Sequence, residues 1–193
     1  MLDTVLLLLR DVVAEYLKTT IGGGPGSTEV DKLVFMNSDR AEHVEFPSNA
    51  VTLLLVNVEE EVTLRPADPY RHLMHDGTVQ RVSPPLHLAL SVLLVANFKD
   101  YASGLRYLSA IVQYFQSHRV LDGYSAPALS PLIEKITIDL QTLSLTELAQ
   151  LWGVLRSAYR PSLLYKVRLV VVQDPDGAVQ PAGQGAQVRT GEM

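Results

Sequence analysis

Pro84-Pro85-Leu86-His87-Leu88-Ala89-Leu90-Ser91-Val92-Leu93-Leu94-Val95-Ala96-Asn97-Phe98 is the stretch on which the fold turns. Leu86, Leu88, Leu90, Val92 and Leu94 recur at every second residue, the period of a strand, although Pro84-Pro85 would also open a helix. The alternation decides for a strand over Leu86 to Ala96. Ser103 to His118 then carries the helical period. There Leu105, Leu108, Ile111, Val112 and Phe115 form one stripe, and Arg106, Gln113 and Gln116 face outward. A strand and an amphipathic helix this close together point to a mixed α and β fold.

Outward from this centre the same periods recur. Leu2 to Lys18 places Val5, Leu6, Leu9, Val12, Val13, Tyr16 and Leu17 at helical spacing, and Gly22-Gly23-Gly24-Pro25-Gly26-Ser27 ends that helix. Strands are predicted over Lys32 to Met36, Ala50 to Val58, Lys135 to Leu140 and Leu163 to Val172. Ala50 to Val58 is apolar on both faces, as a covered central strand requires. Between Arg65 and Arg81, Pro66, Pro69 and Asp76-Gly77 break any period, so a long loop or short hairpin is expected there. Asp122 to Pro131 reads as a loop. Ser144-Leu145-Thr146-Glu147 has the form of a capping box, with Leu143 and Leu148 at staple positions, so a helix starts there and cannot pass Pro161. After Asp174, Gly, Pro, Gln and Ala dominate. Such a tail buries too little surface to offset its ordering entropy. The expected organisation is one domain over 1–173 and a disordered tail over 174–193.

The chain has 193 residues, enough for one real core, with 47% hydrophobic and only 19% charged residues. A typical domain has about 25% charged residues, so part of this surface is expected to be covered by other subunits. The net charge of −5 and a pI near 5.5 argue against a dedicated nucleic-acid binder. Charge is uneven: Glu29, Asp31, Asp39, Glu42, Glu45, Glu59, Glu60 and Glu61 crowd one region, and Arg156, Arg160, Lys166 and Arg168 another. Patches of opposite sign would suit head-to-tail contact in a ring, but ordinary solvated faces explain them more simply. With no cysteine, disulfides, thiolate metal sites and cysteine nucleophiles are excluded. Val5 to Leu9 is too short to span a membrane and lacks a basic start, so a cytoplasmic product is expected.

Residues able to do chemistry are scattered. His72, His75 and Asp76 lie close in sequence, but prolines and a glycine flank them and no third ligand is placed nearby, so a loop surface is the better reading. Glu59-Glu60-Glu61 reads as a strand end in solvent. The glycines at 22–26 lack the Lys-Ser/Thr of a phosphate loop. Ser83, Ser125 and Ser130 lack the context of a nucleophile elbow. His43, His87 and His118 are isolated. Tyr101, Tyr107, Tyr114, Tyr159 and Tyr165 suit interfaces or core packing equally. No catalytic, cofactor-binding or metal-binding residue is expected, and no enzymatic activity.

Several motifs resemble those of a known family in order and spacing. They begin with the N-terminal Leu/Val helix, Pro84-Pro85-Leu86, and Ala96-Asn97-Phe98 followed by Tyr101. Leu105 to Leu108, Phe115-Gln116, Ser130-Pro131 and Ile133-Glu134-Lys135 continue them. Leu151-Trp152-Gly153 and Tyr159-Arg160-Pro161-Ser162-Leu163-Leu164-Tyr165-Lys166-Val167-Arg168 complete the set. Together they cover most of 84–172. The chain resembles the tail-terminator (cap) proteins of extracellular contractile injection systems, which are phage-tail-like particles, in their Pvc16-type family. The resemblance implies an α/β (α+β) domain like that of phage tail terminators, with a mixed β-sheet flanked by helices. It implies a homohexameric ring that ends and joins the inner tube and contractile sheath, with sheath protein and tube protein as partners and neither nucleic acid nor membrane. The ring would assemble in the bacterial cytoplasm and become part of the released or anchored particle. An assembly adaptor or chaperone that leaves the particle is the alternative. Sheath arms in such particles are extended strands, so an exposed sheet edge would accept one. Leu163, Tyr165, Val167, Leu169 and Val171, near the C-terminal end, are the expected sheath-contacting edge.

Overall fold

The computed structural model describes residues 1–21, 32–36, 44–61, 71–73, 79–81, 86–124, 126, 129 and 133–171. In chain order the elements are α1 (Leu2–Thr20), β1 (Leu33–Phe35), β2 (Ala50–Glu60), β3 (Arg71–Leu73), β4 (Val79–Arg81), β5 (Leu86–Asn97), α2 (Tyr101–Ser117), β6 (Val120–Asp122), β7 (Ile133–Gln141), α3 (Leu145–Val154) and β8 (Ser162–Val171). Six strands form one sheet in the order β1-β2-β5-β8-β7-β6, and β3-β4 is a separate hairpin. That hairpin lies in the segment expected to be a loop or hairpin. β1 runs parallel to β2 and every other neighbour is antiparallel, so the sheet is mixed. The expected α+β architecture stands.

The alternation in β5 does what its period promises. Leu90, Val92, Leu94 and Ala96 point to one face, where they meet α1 and α2. Leu93 and Val95 point to the other, under α3. The main core gathers Val5, Leu9, Val13 and Leu17 of α1 with Leu108, Ile111 and Phe115 of α2 over Val167 and Leu169 of β8. The α2 stripe is rotated from its sequence reading. Tyr107 stacks on Phe98 at 4.8 Å, and Tyr114 packs on Tyr16 of α1 at 5.1 Å. These rings take the inward positions, and Leu105 is turned out to solvent. Asp100 starts α2, accepting the Ser103 N–H at 2.9 Å and its hydroxyl at 2.6 Å. Those two bonds hold its carboxyl below the usual carboxylate range.

The second core is smaller. Phe46, Leu93, Val95 and Trp152 are buried together, and Asn97 fixes the Phe46 segment by donating its side-chain N–H to the Phe46 carbonyl at 2.6 Å. The capping box forms as expected. Ser144 accepts the Glu147 N–H, and the Glu147 carboxylate accepts the Ser144 N–H at 2.8 Å. The Ser144 N–H and then its hydroxyl lower the Glu147 pKa. Helices thus cover both faces of the sheet, α1 and α2 on one and α3 on part of the other.

Candidate assembly interface

The structure places Leu163, Tyr165, Val167, Leu169 and Val171, expected at a sheet edge, on an internal strand. β8 lies inside the sheet, with its backbone paired to β5 on one side and β7 on the other. No ladder groups are free there to accept a further strand. Tyr165, Val167 and Leu169 are buried against α1 and α2, and Leu163 packs on the same core. Val171 pairs with Leu86 and Ile133. Burial pushes the Tyr165 phenol up to about 12. The signal for a central strand was present, because 163–172 is apolar on both faces apart from Lys166 and Arg168, whereas an edge with a solvated face alternates.

Those two cations also revise the charge pattern. They project from the opposite face of β8, where Lys166 meets Glu59 at 3.5 Å and Glu61 at 3.8 Å. Arg168 meets Glu61 at 3.5 Å and also pairs with Asp139. Part of the acidic region and half of the basic run therefore neutralise one another within one chain. Glu59 and Glu60 close β2 and are exposed, as expected of a strand end, and Glu59 and Glu61 are in addition cross-sheet partners of Lys166. Arg156 and Arg160 are outside this network.

The true sheet edges are β1 and β6. β6 pairs only with Lys135, Ile136 and Thr137, so the end of β7 runs past it. Ile138 donates its N–H to the Arg119 carbonyl on that side. In an antiparallel strand, residues two apart point their N–H and C=O the same way. The Leu140 backbone thus faces outward, with no partner on that side among the described residues. A groove of about 330 Å³ adjoins it, walled by Val112, Phe115, Arg119 and Tyr165. The Leu140 side chain, 52% exposed, stands at its mouth. Unpaired strand backbone beside a groove of mixed lining, with Gln116, Arg119 and Asp139 next to Val112 and Phe115, is the geometry by which an extended segment can add to a sheet.

Two further surfaces stand out. The outer side of α1 forms a hollow of about 750 Å³ with Tyr114 and His118 of α2. Leu7, Val12 and Tyr16 give it an apolar floor, and Asp11 and Glu15 line it with carboxylates. Across the sheet, the end of α3 forms a ridge in which Val154 is 81% and Tyr159 63% exposed. Between them Arg156 closes the helix with φ 50, while its N–H reaches the Gly153 carbonyl at 3.2 Å. That left-handed position normally takes glycine, and a residue with a Cβ costs roughly 1–2 kcal/mol there. Of the tyrosines considered for interfaces, Tyr107, Tyr114 and Tyr165 are core residues, and Tyr101 and Tyr159 are exposed.

No group of three or more His, Cys, Asp or Glu residues able to hold a metal occurs among the described residues. His72 sits in β3, and His75, Asp76, His43, Ser83, Ser125 and Ser130 lie outside the described residues, as does the 174–193 tail. His118 ends α2, stacked on Tyr114 at 4.4 Å. Among the described residues no helix is long and apolar enough to cross a membrane.

Comparison with known proteins matches residues 4–183 to the family described as the Pvc16 N-terminal domain. Among solved structures, the sheath/tube terminator of an extracellular contractile injection system, PVC, in the extended state, superposes with a TM-score of 0.55 at 14% identity. The match covers 100% of this chain and 64% of that one, so the chain spans less than two thirds of the terminator's length. At that identity the likeness is one of fold. The tube terminating cap of the anti-feeding prophage gives a TM-score of 0.48 at 16% identity, over 79% of this chain and 55% of that one. No curated protein matches the chain.

Proposed function

The chain belongs to the Pvc16 N-terminal domain family, and from that premise we propose that it is a terminator of a phage-tail-like contractile injection system. Six copies form a ring that ends the inner tube and the contractile sheath and joins the two. The work is done by contact, with no reacting atom. The observation that carries this reading is the likeness of the whole chain to the fold of a sheath/tube terminator.

The surfaces suit the task. A closed ring repeats one heterologous contact, which asks for two different patches on each copy, and the α1 hollow and the α3 ridge lie on opposite faces of the sheet. Sheath attachment belongs at the β7 end, where Leu140 presents outward-facing backbone beside a groove of mixed polar and apolar lining, rather than at β8. The ring assembles inside the producing cell and travels with the particle.

Mass spectrometry of purified particles, with copy number taken against the tube protein, tests the reading. Six copies at one end of each particle are expected. Absence from finished particles would overturn it and favour an adaptor that leaves after assembly.

A further inference from the structure

Each copy in a ring offers one patch to the neighbour on its left and another to the neighbour on its right. The two patches must fit each other. The α1 hollow and the α3 ridge meet that requirement in shape, polarity and charge. The hollow has an apolar floor at Leu7, Val12 and Tyr16 and carboxylates at Asp11 and Glu15. Arg10 already holds Asp11 at 2.8 Å. Glu15 has no ion pair among the described residues. The ridge is the converse. Val154 and Tyr159 are exposed, Arg156 between them has no ion pair among the described residues, and no acid occurs anywhere between Glu147 and Asp174.

Arg156 adds an independent observation. Its φ of 50 is a conformation that glycine adopts freely and arginine does not. Strain of this kind persists where the side chain has a use, and those uses cluster at functional surfaces. Within the chain, nothing among the described residues uses this guanidinium.

Resting on the ring reading above, we infer that the α3 ridge of one copy seats in the α1 hollow of a second copy, with Arg156 against Glu15. Val154 and Tyr159 cover Leu7 and Val12, which removes exposed apolar surface on both sides. The two patches lie on opposite faces of the sheet, so one copy cannot close on itself. Nor can two copies make both contacts reciprocally. The contact therefore propagates from copy to copy and gives a ring where its rotation closes, and ridge-to-ridge pairing is disfavoured by like charge.

The chain has no cysteine, so a pair of single variants, Glu15→Cys and Arg156→Cys, gives an unambiguous test. Particles are assembled from a mixture of the two, treated with a short bis-maleimide and run on a denaturing gel. Covalent dimers are expected from the mixture and from neither variant alone, and the double variant should give a ladder that stops at the closed ring. Six copies per particle without mixture-specific dimers would overturn this contact and leave the ring intact. Particles that lack the chain would overturn both. Charge reversal is the second arm. Arg156→Glu should lower ring occupancy at least tenfold, and adding Glu15→Arg should restore it; unchanged occupancy, or no restoration, refutes the pairing. Arg156→Gly separates folding from assembly, because it should raise the melting temperature of the isolated chain while lowering ring occupancy. A variant that melts higher and still fills the ring would count against the inference.

Discussion

Replacing Trp152 by alanine removes the one buried side chain of α3. The indole is 5% exposed and packs with Phe46, Leu93 and Val95. Its ring lies 5.8 Å from Phe46 and 5.7 Å from Tyr159, centre to centre. Truncating a buried tryptophan costs roughly 3–5 kcal/mol, and each lost aromatic pair accounts for about 0.5–1.5 kcal/mol of preference beyond area. One feature works the other way. The indole Nε1 has no hydrogen-bond partner among the described residues, so the variant also relieves a buried donor. A net loss near 3 kcal/mol is expected, and roughly 6–12 °C in melting temperature for a domain of this size. The loss is also local. A ten-residue helix is marginal alone in water, so α3 should detach while α1, α2 and the sheet stay folded. Amide exchange should then show lost protection over Leu148 to Leu155 and near-native protection in β5 and β8. Trp152→Phe, which keeps the ring and removes the orphan N–H, should recover more than half of the loss. An unchanged melting temperature with native protection in α3 would refute the packing assigned to Trp152.

Ser144→Ala removes the side-chain half of the capping box and should cost roughly 0.5–2 kcal/mol in denaturant titration. The Glu147 carboxyl is held below its usual value in the fold, so its stabilisation is present above the unfolded carboxylate range and is lost as pH falls through the lowered folded value. The variant should therefore show a shallower acid loss than wild type between about pH 5 and 3. Arg168→Ala breaks its pairs with Glu61 and Asp139. With these groups partly exposed, the cost should be roughly 0.2–1 kcal/mol, and it should shrink in 1 M salt. Leu140→Pro alters a residue whose N–H faces the open edge, so it breaks no ladder bond. Its melting temperature should stay within a few degrees of wild type while binding of sheath protein in pull-down is lost. Retained binding would remove the β7 edge from the sheath contact.

Local pattern made most of the elements legible. The alternation of Leu86, Leu88, Leu90, Val92 and Leu94, the Ser144–Glu147 box and the α1 stripe each state their conformation within a few residues. β6 was not legible. Three residues, separated from the end of α2 by two others, are too few to show a period, and the strand exists because β7 offers it a partner. The position of β8 was misjudged for a related reason. Strand order is a tertiary property, and nearness to the C-terminal end says nothing about nearness to a sheet edge. Its two apolar faces were the better guide. Leu105 fits the helical stripe by spacing, but Tyr107 and Tyr114 claim the inward side through rings contributed by Phe98 and Tyr16. The cross-sheet pairs of Lys166 and Arg168 with Glu59 and Glu61 join residues more than a hundred positions apart, beyond the reach of any local pattern. The α3 ridge was partly readable as a basic, acid-free run, but the left-handed Arg156 was not.

Electron microscopy of particles made with and without this chain tests the terminator role most directly. With the chain present, tubes and sheaths should end together at one uniform length. Without it, both should run to irregular lengths and sheaths should slip from their tubes. Particles of uniform length that still contract in its absence would contradict the role proposed for it.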